Sequence, residues 1–221
     1  MPPLVRYFSE KHAQAFISKG EVLFHSLSYF RDYEDEGVRA DEHEGTLVHC
    51  PTDGLRVTLV ATGESIALPH RLESTAKEDD IFVYCMSTVF SAGIAQRFRA
   101  EVAIEILEPV KFLARLRSSL HLRRRLRSDK LVHQEVRYYE WHEPPIGDWA
   151  LPERIAMRKP KSFEWQKEYR FAVPVGDAFR VENVSVNLVP LDSVRPQRTK
   201  SHPYLLLSLG NLAKICHVHK L

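Results

Sequence analysis

The chain has 221 residues, of which 44% are hydrophobic and 27% charged, with a net charge of +2. That is enough apolar material to bury one core in a single domain over residues 1–221, and it excludes global disorder, which needs low hydrophobicity and a large net charge. Lys+Arg 31 against Asp+Glu 29 also excludes a partner chosen by overall charge, so electrostatic function must come from local clustering.

Cys50, Cys85 and Cys216 are odd in number and far apart, which gives neither a disulfide framework nor a zinc knuckle. The chain opens on a mixed segment without a basic and then apolar leader, and no apolar run approaches the roughly 20 residues of a membrane-crossing helix. The expectation is a cytoplasmic protein with no membrane partner.

In chain order, Leu4–Phe8 predicts a short strand. Ser9 is placed to cap a helix over Glu10–Lys19 with Ala13, Phe16 and Ile17 on one face, and Gly20 falls where a left-handed residue ends a helix. Residues 22–28 return as a second strand. Seven carboxylates and one Arg then fall within residues 32–45, a pattern that suits a solvated loop. Asp35, Asp41 and Glu44 in it could instead face a substrate or a divalent ion, although the spacing is not that of a calcium loop.

From residue 46 the texture turns to strands: 46–50 and 55–60 about a Pro-Thr-Asp-Gly turn, then Ile81–Ser87 and a half-buried 101–107. A helix is expected over 109–130, with Phe112, Leu113, Leu116 and Leu120 on its buried face. Arg115, Arg123, Arg124, Arg125, Arg127 and Lys130 make this the most basic stretch, suited to phosphate contact with a nucleic acid or simply to a solvated face. No aromatics interleave there, which argues against base reading. A strand over 131–141 is followed by a proline-rich irregular connection at 142–160.

The run 163–173 predicts a strand with Gln166 and Glu168 on one face, because side chains two apart project to the same side. Arg170 shares that face, so an ordinary Glu168–Arg170 pair explains the motif without any chemistry. Residues 179–189 change face near Asn183, a bulge or a break. Residues 204–209 and 215–219 close the chain as strands, or as a strand and a short helix. Cys216, His217 and His219 have metal-ligand chemistry but no evident fourth partner, and no metal is expected. Glycine-rich phosphate loops and the common hydrolase and zinc motifs are absent.

Arg6 on the first strand, Ser26-Leu27-Ser28 at the end of the second and Gln166-Lys167-Glu168 near the end of the chain stand in a telling order. In this the sequence resembles the ADP-ribosyltransferase fold, in its bacterial-toxin branch with Arg, Ser-Thr-Ser and Gln-x-Glu elements, with Leu27 where Thr is expected. The strand–helix–glycine–strand opening is similar to small bacterial members acting in toxin or phage-defence systems. Glu168-Tyr169-Arg170 further resembles a late Glu-aromatic-Arg strand in a broad family of uncharacterised bacterial proteins. The resemblance covers about 1–45 and 160–175 and leaves out the middle.

The resemblance implies an α+β fold with a mixed, mostly antiparallel, split β core, few flanking helices and NAD as co-substrate. Glu168 would stabilise positive charge developing on the ribose, since a nearby carboxylate suits an oxocarbenium-like centre. Gln166 would orient the acceptor, and Arg6 would hold the pyrophosphate with its planar fork. Ser26 or Ser28 would fix Glu168, and Tyr7 or Tyr33 would stack on nicotinamide. The acceptor would be a macromolecule, a nucleic acid or a protein. Two other readings stand beside it: a non-catalytic nucleic-acid-binding module using the basic helix at 111–130, and a metal-dependent nuclease built on the acidic loop plus that basic helix.

Overall fold

A computed structural model describes residues 1–32, 41–194 and 202–221. The opening unit forms where the residue pattern places it. Strand β1 (Leu4–Phe8) leads into helix α1 (Glu10–Lys19), which buries Ala13 and Phe16. Gly20 ends the helix at φ 64°, and a Cβ there would collide with the Gly210 carbonyl. Only glycine meets both demands. Strand β2 is Glu21–Ser26, and the chain turns at once into a short helix α2 (Leu27–Arg31). Ser26 therefore ends the strand and Ser28 lies on the helix, shorter than the strand expected over 22–28.

Strands β3 (Thr46–His49), β4 (Leu55–Thr58), β5 (Ser65–Leu68) and β6 (His70–Thr75) follow. Residues 71–80 are mostly polar, yet β6 forms over their first half because it pairs on both edges, with β3 and with a later strand. Next come β7 (Ile81–Ser87), helix α3 (Ala92–Arg97) and β8 (Val102–Ile106). Helix α4 covers Pro109–His121 and buries Phe112, Leu113, Leu116 and Leu120. Burying four such side chains contributes roughly 6–10 kcal/mol before entropy is counted. The helix stops well short of residue 130, because the apolar stripe ends at Leu120 and a run of arginines has nothing to pack.

The expected strand over 131–141 divides into β9 (Val132–Glu135) and β10 (Arg137–Tyr139). The expected irregular stretch contains helix α5 (Pro152–Ile155) and β11 (Arg158–Pro160), the latter parallel to β10. Residues Lys161–Gln166 form a 3-10 turn, Lys167 is left-handed at φ 45°, and only then does β12 (Glu168–Pro174) begin. Another 3-10 turn (Val181–Asn183) accounts for the change of face at Asn183, ahead of β13 (Ser185–Pro190). Strands β14 (Tyr204–Ser208) and β15 (Cys216–Lys220) complete the chain.

The fold is α+β, built on an eight-stranded, antiparallel main sheet that draws strands from both ends of the chain. Its centre is β7. One edge of β7 pairs with β12 along its full length, from Glu168↔Ser87 to Pro174↔Ile81. The other edge is shared: β2 takes Phe82 and Val83, and β1 takes Ser87. Between those contacts β1 and β2 diverge, leaving one side of Tyr84, Cys85 and Met86 without a strand partner. The sheet is split there.

One face of the sheet carries α1 and α4 over a core of Phe16, Phe24, Phe112, Leu116, Phe171 and their neighbours. The opposite face packs Leu27, Ile81, Val83, Tyr139, Trp149 and Ile155. Alternation along β12 sends Tyr169, Phe171 and Val173 to the first face, and Glu168, Arg170 and Ala172 to the second. Among the described residues no helix is long and apolar enough to cross a membrane.

Candidate functional site

The fork in the β7 edge opens a cavity of about 70 Å³ whose lining includes Arg6, Tyr7, Phe30, Cys85, Lys159, Gln166 and Glu168. It shares Arg6, Tyr7, Phe30, Cys85 and Phe98 with a groove of about 710 Å³ that runs out past His25, Tyr29 and Tyr204. The groove is within the size range of small-molecule sites. Arg6 stands at the junction. Its Nη1 donates to the Cys85 carbonyl, one of the groups left open by the fork. Its guanidinium lies 5.0 Å from the Tyr84 ring centroid and 5.8 Å from that of Phe8. Its buried Nε has no partner, and it has no carboxylate partner among the described residues. A pinned, un-neutralised guanidinium of this kind suits an anionic group.

Beneath the cavity lies a buried ionic cluster. Arg170 Nε donates to Glu168 Oε1 at 2.7 Å, while Nη1 and Nη2 donate to the two oxygens of Glu44 at 2.6 and 3.2 Å. Lys159 Nζ reaches Glu168 Oε2 at 3.1 Å, Gln166 Oε1 at 3.0 Å and Glu44 Oε2 at 3.8 Å. None of these five residues is more than 5% exposed. Two carboxylates face two cations, so the cluster is neutral as a unit, which is what makes its burial tolerable.

Burial alone would raise the pKa of Glu168, but Arg170 and Lys159 outweigh it and hold the carboxyl far below its ordinary range. Burial would lower that of Lys159, and Glu168 and Glu44 outweigh it in turn. Glu168 is thus fixed as the anion and Lys159 as the cation. Burial, followed by the charge of the Glu168 carboxylate, pushes the Cys85 thiol up to about 12, so it stays protonated. Asp41 borders the cluster. Burial and then Glu44 raise its carboxyl to about 7, and its Oδ2 has no partner among the described residues.

Gln166 and Glu168 meet as the sequence expects but by another route. Gln166 belongs to the 3-10 turn, and the left-handed Lys167 swings the chain so that both side chains reach Lys159. Ser87 Oγ donates to the Gln166 carbonyl at 2.9 Å and Tyr138 Oη accepts from the Glu168 amide at 2.9 Å, which holds the bend in place.

Tyr7 lines the cavity, but its hydroxyl is committed, accepting from the Ser91 amide at 2.8 Å and donating to the Val89 carbonyl at 2.9 Å. Ser26 and Ser28 are fully buried and bonded to each other at 2.8 Å; neither lines the cavity or the groove. The structure therefore brings Arg6, Tyr7, Gln166 and Glu168 to one place and does not bring the serines there. Tyr33 and Asp35 lie outside the described residues. Asp41 and Glu44 point into the buried cluster and not to a solvated ion site.

The basic stretch lies elsewhere: none of Arg115, Arg123, Arg124, Arg125, Arg127 and Lys130 lines the cavity or the groove. Arg115 and Arg123 donate to the Asn211 and Leu206 carbonyls at 2.5 and 3.2 Å, and Arg127 pairs with Asp129 at 3.0 Å. Sequence reasoning missed Lys159, Phe30, Cys85 and Phe98. A lysine in a proline-rich stretch and a cysteine in an apolar strand give no local signal of a shared cavity.

No family model matches the chain, and no curated protein or solved structure matches it. The geometry of the cleft is thus the ground on which its chemistry can be argued.

Proposed function

We propose that the cleft binds NAD and transfers its ADP-ribosyl group to a macromolecular acceptor. The observation that carries this reading is that Arg6, without a carboxylate partner among the described residues and pinned at the fork of a split sheet, lines the same cavity as Glu168. The reading gives a cationic clamp for a pyrophosphate and a fixed carboxylate for positive charge on a ribose, joined by a groove with aromatic walls.

Transfer breaks the nicotinamide–ribose bond, the nicotinamide leaving with the electron pair, and the ribose carbon takes the acceptor's nucleophile, whose proton passes to solvent water. Glu168 supplies negative charge beside the ribose. It does not take the acceptor's proton, because Arg170 and Lys159 strip it of basicity. Gln166, its amide oxygen held by Lys159, orients the groups that enter the cavity. Ser26 and Ser28 take no part; their mutual hydrogen bond braces the junction of β2 and α2.

Calorimetric titration with NAD and an assay of nicotinamide release test this reading. Wild type binds NAD, Arg6→Gln weakens binding about tenfold or more, as loss of a charge-assisted contact requires, and Glu168→Gln binds but releases no nicotinamide. Gln166→Ala, which removes no charge, guards against misfolding of the cluster variant. Absence of both NAD binding and nicotinamide release in the folded wild type, with and without cell lysate, overturns the reading.

A further inference from the structure

Beside the cavity mouth the chain builds a ledge of arginine and aromatic side chains. Arg97, exposed at the end of α3, lies over the Trp165 ring at 4.7 Å from its centroid. Trp165 packs on Phe98 at 5.3 Å, and Phe98 packs on Tyr7 at 5.9 Å. Phe98 lines both the cavity and the groove, and Trp165 directly precedes Gln166, so the ledge is continuous with the site. Arg99 follows at a left-handed φ of 52° and lines the groove with an exposed side chain. Neither Arg97 nor Arg99 has a carboxylate partner among the described residues. The acidic residue on the adjoining turn, Glu164, is paired with Lys167 at 3.4 Å, and Lys161 on the same turn is exposed.

We infer that this ledge is the acceptor-docking surface and that the acceptor is a single-stranded nucleic acid. A guanidinium placed over an indole is a stacking platform for an unpaired base, and Arg99 and Lys161 add charge for the backbone. The residue types decide between acceptors. An acidic protein segment would need the cations alone, whereas a cation interleaved with Trp165 and Phe98 suits bases with their phosphates. A cationic acceptor group is disfavoured, since Arg6 and Arg99 line the groove and Arg97 stands on the adjoining Trp165. The basic stretch after α4 has arginines but no such aromatic partners among the described residues.

The acceptor role rests on the transferase reading, but docking is measured without NAD, so the two fail separately. The probe is a fluorescein-labelled single-stranded DNA oligonucleotide of mixed sequence, titrated with the full chain and followed by anisotropy. Wild type binds with a salt-dependent affinity. Trp165→Leu weakens it about tenfold, the range for loss of one stacked base, and the exposed pair Arg97→Glu with Arg99→Glu weakens it further with the fold intact. Arg124→Glu with Arg125→Glu leaves it within about twofold. The inference is overturned if wild type does not bind, if the ledge variants bind like wild type, or if a poly-glutamate peptide competes as well as unlabelled oligonucleotide.

Discussion

Two charged regions of this molecule behave in opposite ways. The cluster of Glu44, Lys159, Glu168 and Arg170 is buried, charge-balanced and tied together by contacts of 2.6 to 3.8 Å. The stretch after α4 is exposed and unbalanced, and Arg124, Arg125 and Lys130 have no side-chain partner among the described residues. Charge density along the chain marks the second region and hides the first, whose members are drawn from residues 44, 159, 168 and 170. Charge shapes this fold where it is desolvated and closed, and merely coats it where it is wet.

The largest effect expected from this contrast comes from opening the buried cluster. Arg170→Met leaves Glu44 and Glu168 with Lys159 as their one cation, and loss of a buried partner destabilises by about 3–5 kcal/mol. Urea denaturation should show a large drop in midpoint. Because the residues form one network, Glu44→Gln combined with Arg170→Met should cost less than the sum of the two single changes. Strict additivity would show that the pairs act independently and that the cluster is not a unit.

The next effect is smaller and depends on pH. Asp41 keeps its proton in the folded chain up to about 7, whereas an unfolded Asp loses it near 3.8. Between those values the folded state holds more protons, so stability declines as pH rises through the window. Glu168 acts with the opposite sign: its depressed pKa gives stability that is present above the unfolded value of 4.5 and is lost as pH falls. Asp41→Asn keeps an acceptor for the His43 amide and abolishes the titration. The variant should gain about 1–2 kcal/mol near pH 8 and lose that advantage toward pH 4. A constant offset from wild type across the range would place the effect outside ionisation.

How much of this was legible in the residues follows from distance along the chain. The opening β1–α1–Gly20–β2 unit is local: period and left-handed glycine lie within one short stretch, and β1, α1 and Gly20 come out where the pattern puts them, while β2 ends at Ser26, short of the expected residue 28. The shared face of Glu168 and Arg170 is equally local. Lys159 was not legible, because its role depends on β11 pairing with β10 and on the bend at Lys167. The strand expected from residue 163 fails for the same reason. The start of β12 is set by where β7 ends, at the Glu168↔Ser87 pair, and not by local propensity. The split of the sheet is a property of three strands meeting on β7, which no single stretch encodes.

That bend supplies a test of about 1 kcal/mol. Lys167 at φ 45° and ψ 52° is in a region that L side chains enter at a cost and glycine does not. Among the described residues its ammonium makes one exposed contact, with Glu164 at 3.4 Å, worth little. Lys167→Gly should therefore be neutral or stabilising by up to about 1 kcal/mol, while Lys167→Val should destabilise and loosen the hold of Lys159 on Gln166. A glycine variant less stable than the valine variant would show that the side chain, not the backbone, secures the turn.

The smallest effect belongs to the region where sequence shows the most charge. Arg124→Glu with Arg125→Glu changes the formal charge by four, yet both side chains are exposed and unbonded, and surface changes of this kind stay within about 0.5 kcal/mol. The thermal midpoint should hardly move at low salt and not at all at high salt. Arg123, four residues before Arg127 in the same run, is the internal control. It donates to the Leu206 carbonyl on β14, a strand whose only partner among the described residues is β2. Arg123→Glu should therefore destabilise by about 1 kcal/mol through a lost hydrogen bond and an edge left bare. If the three arginines respond alike, the run acts through its summed charge. If Arg123 alone responds, one residue of the run serves the sheet and its neighbours serve solubility.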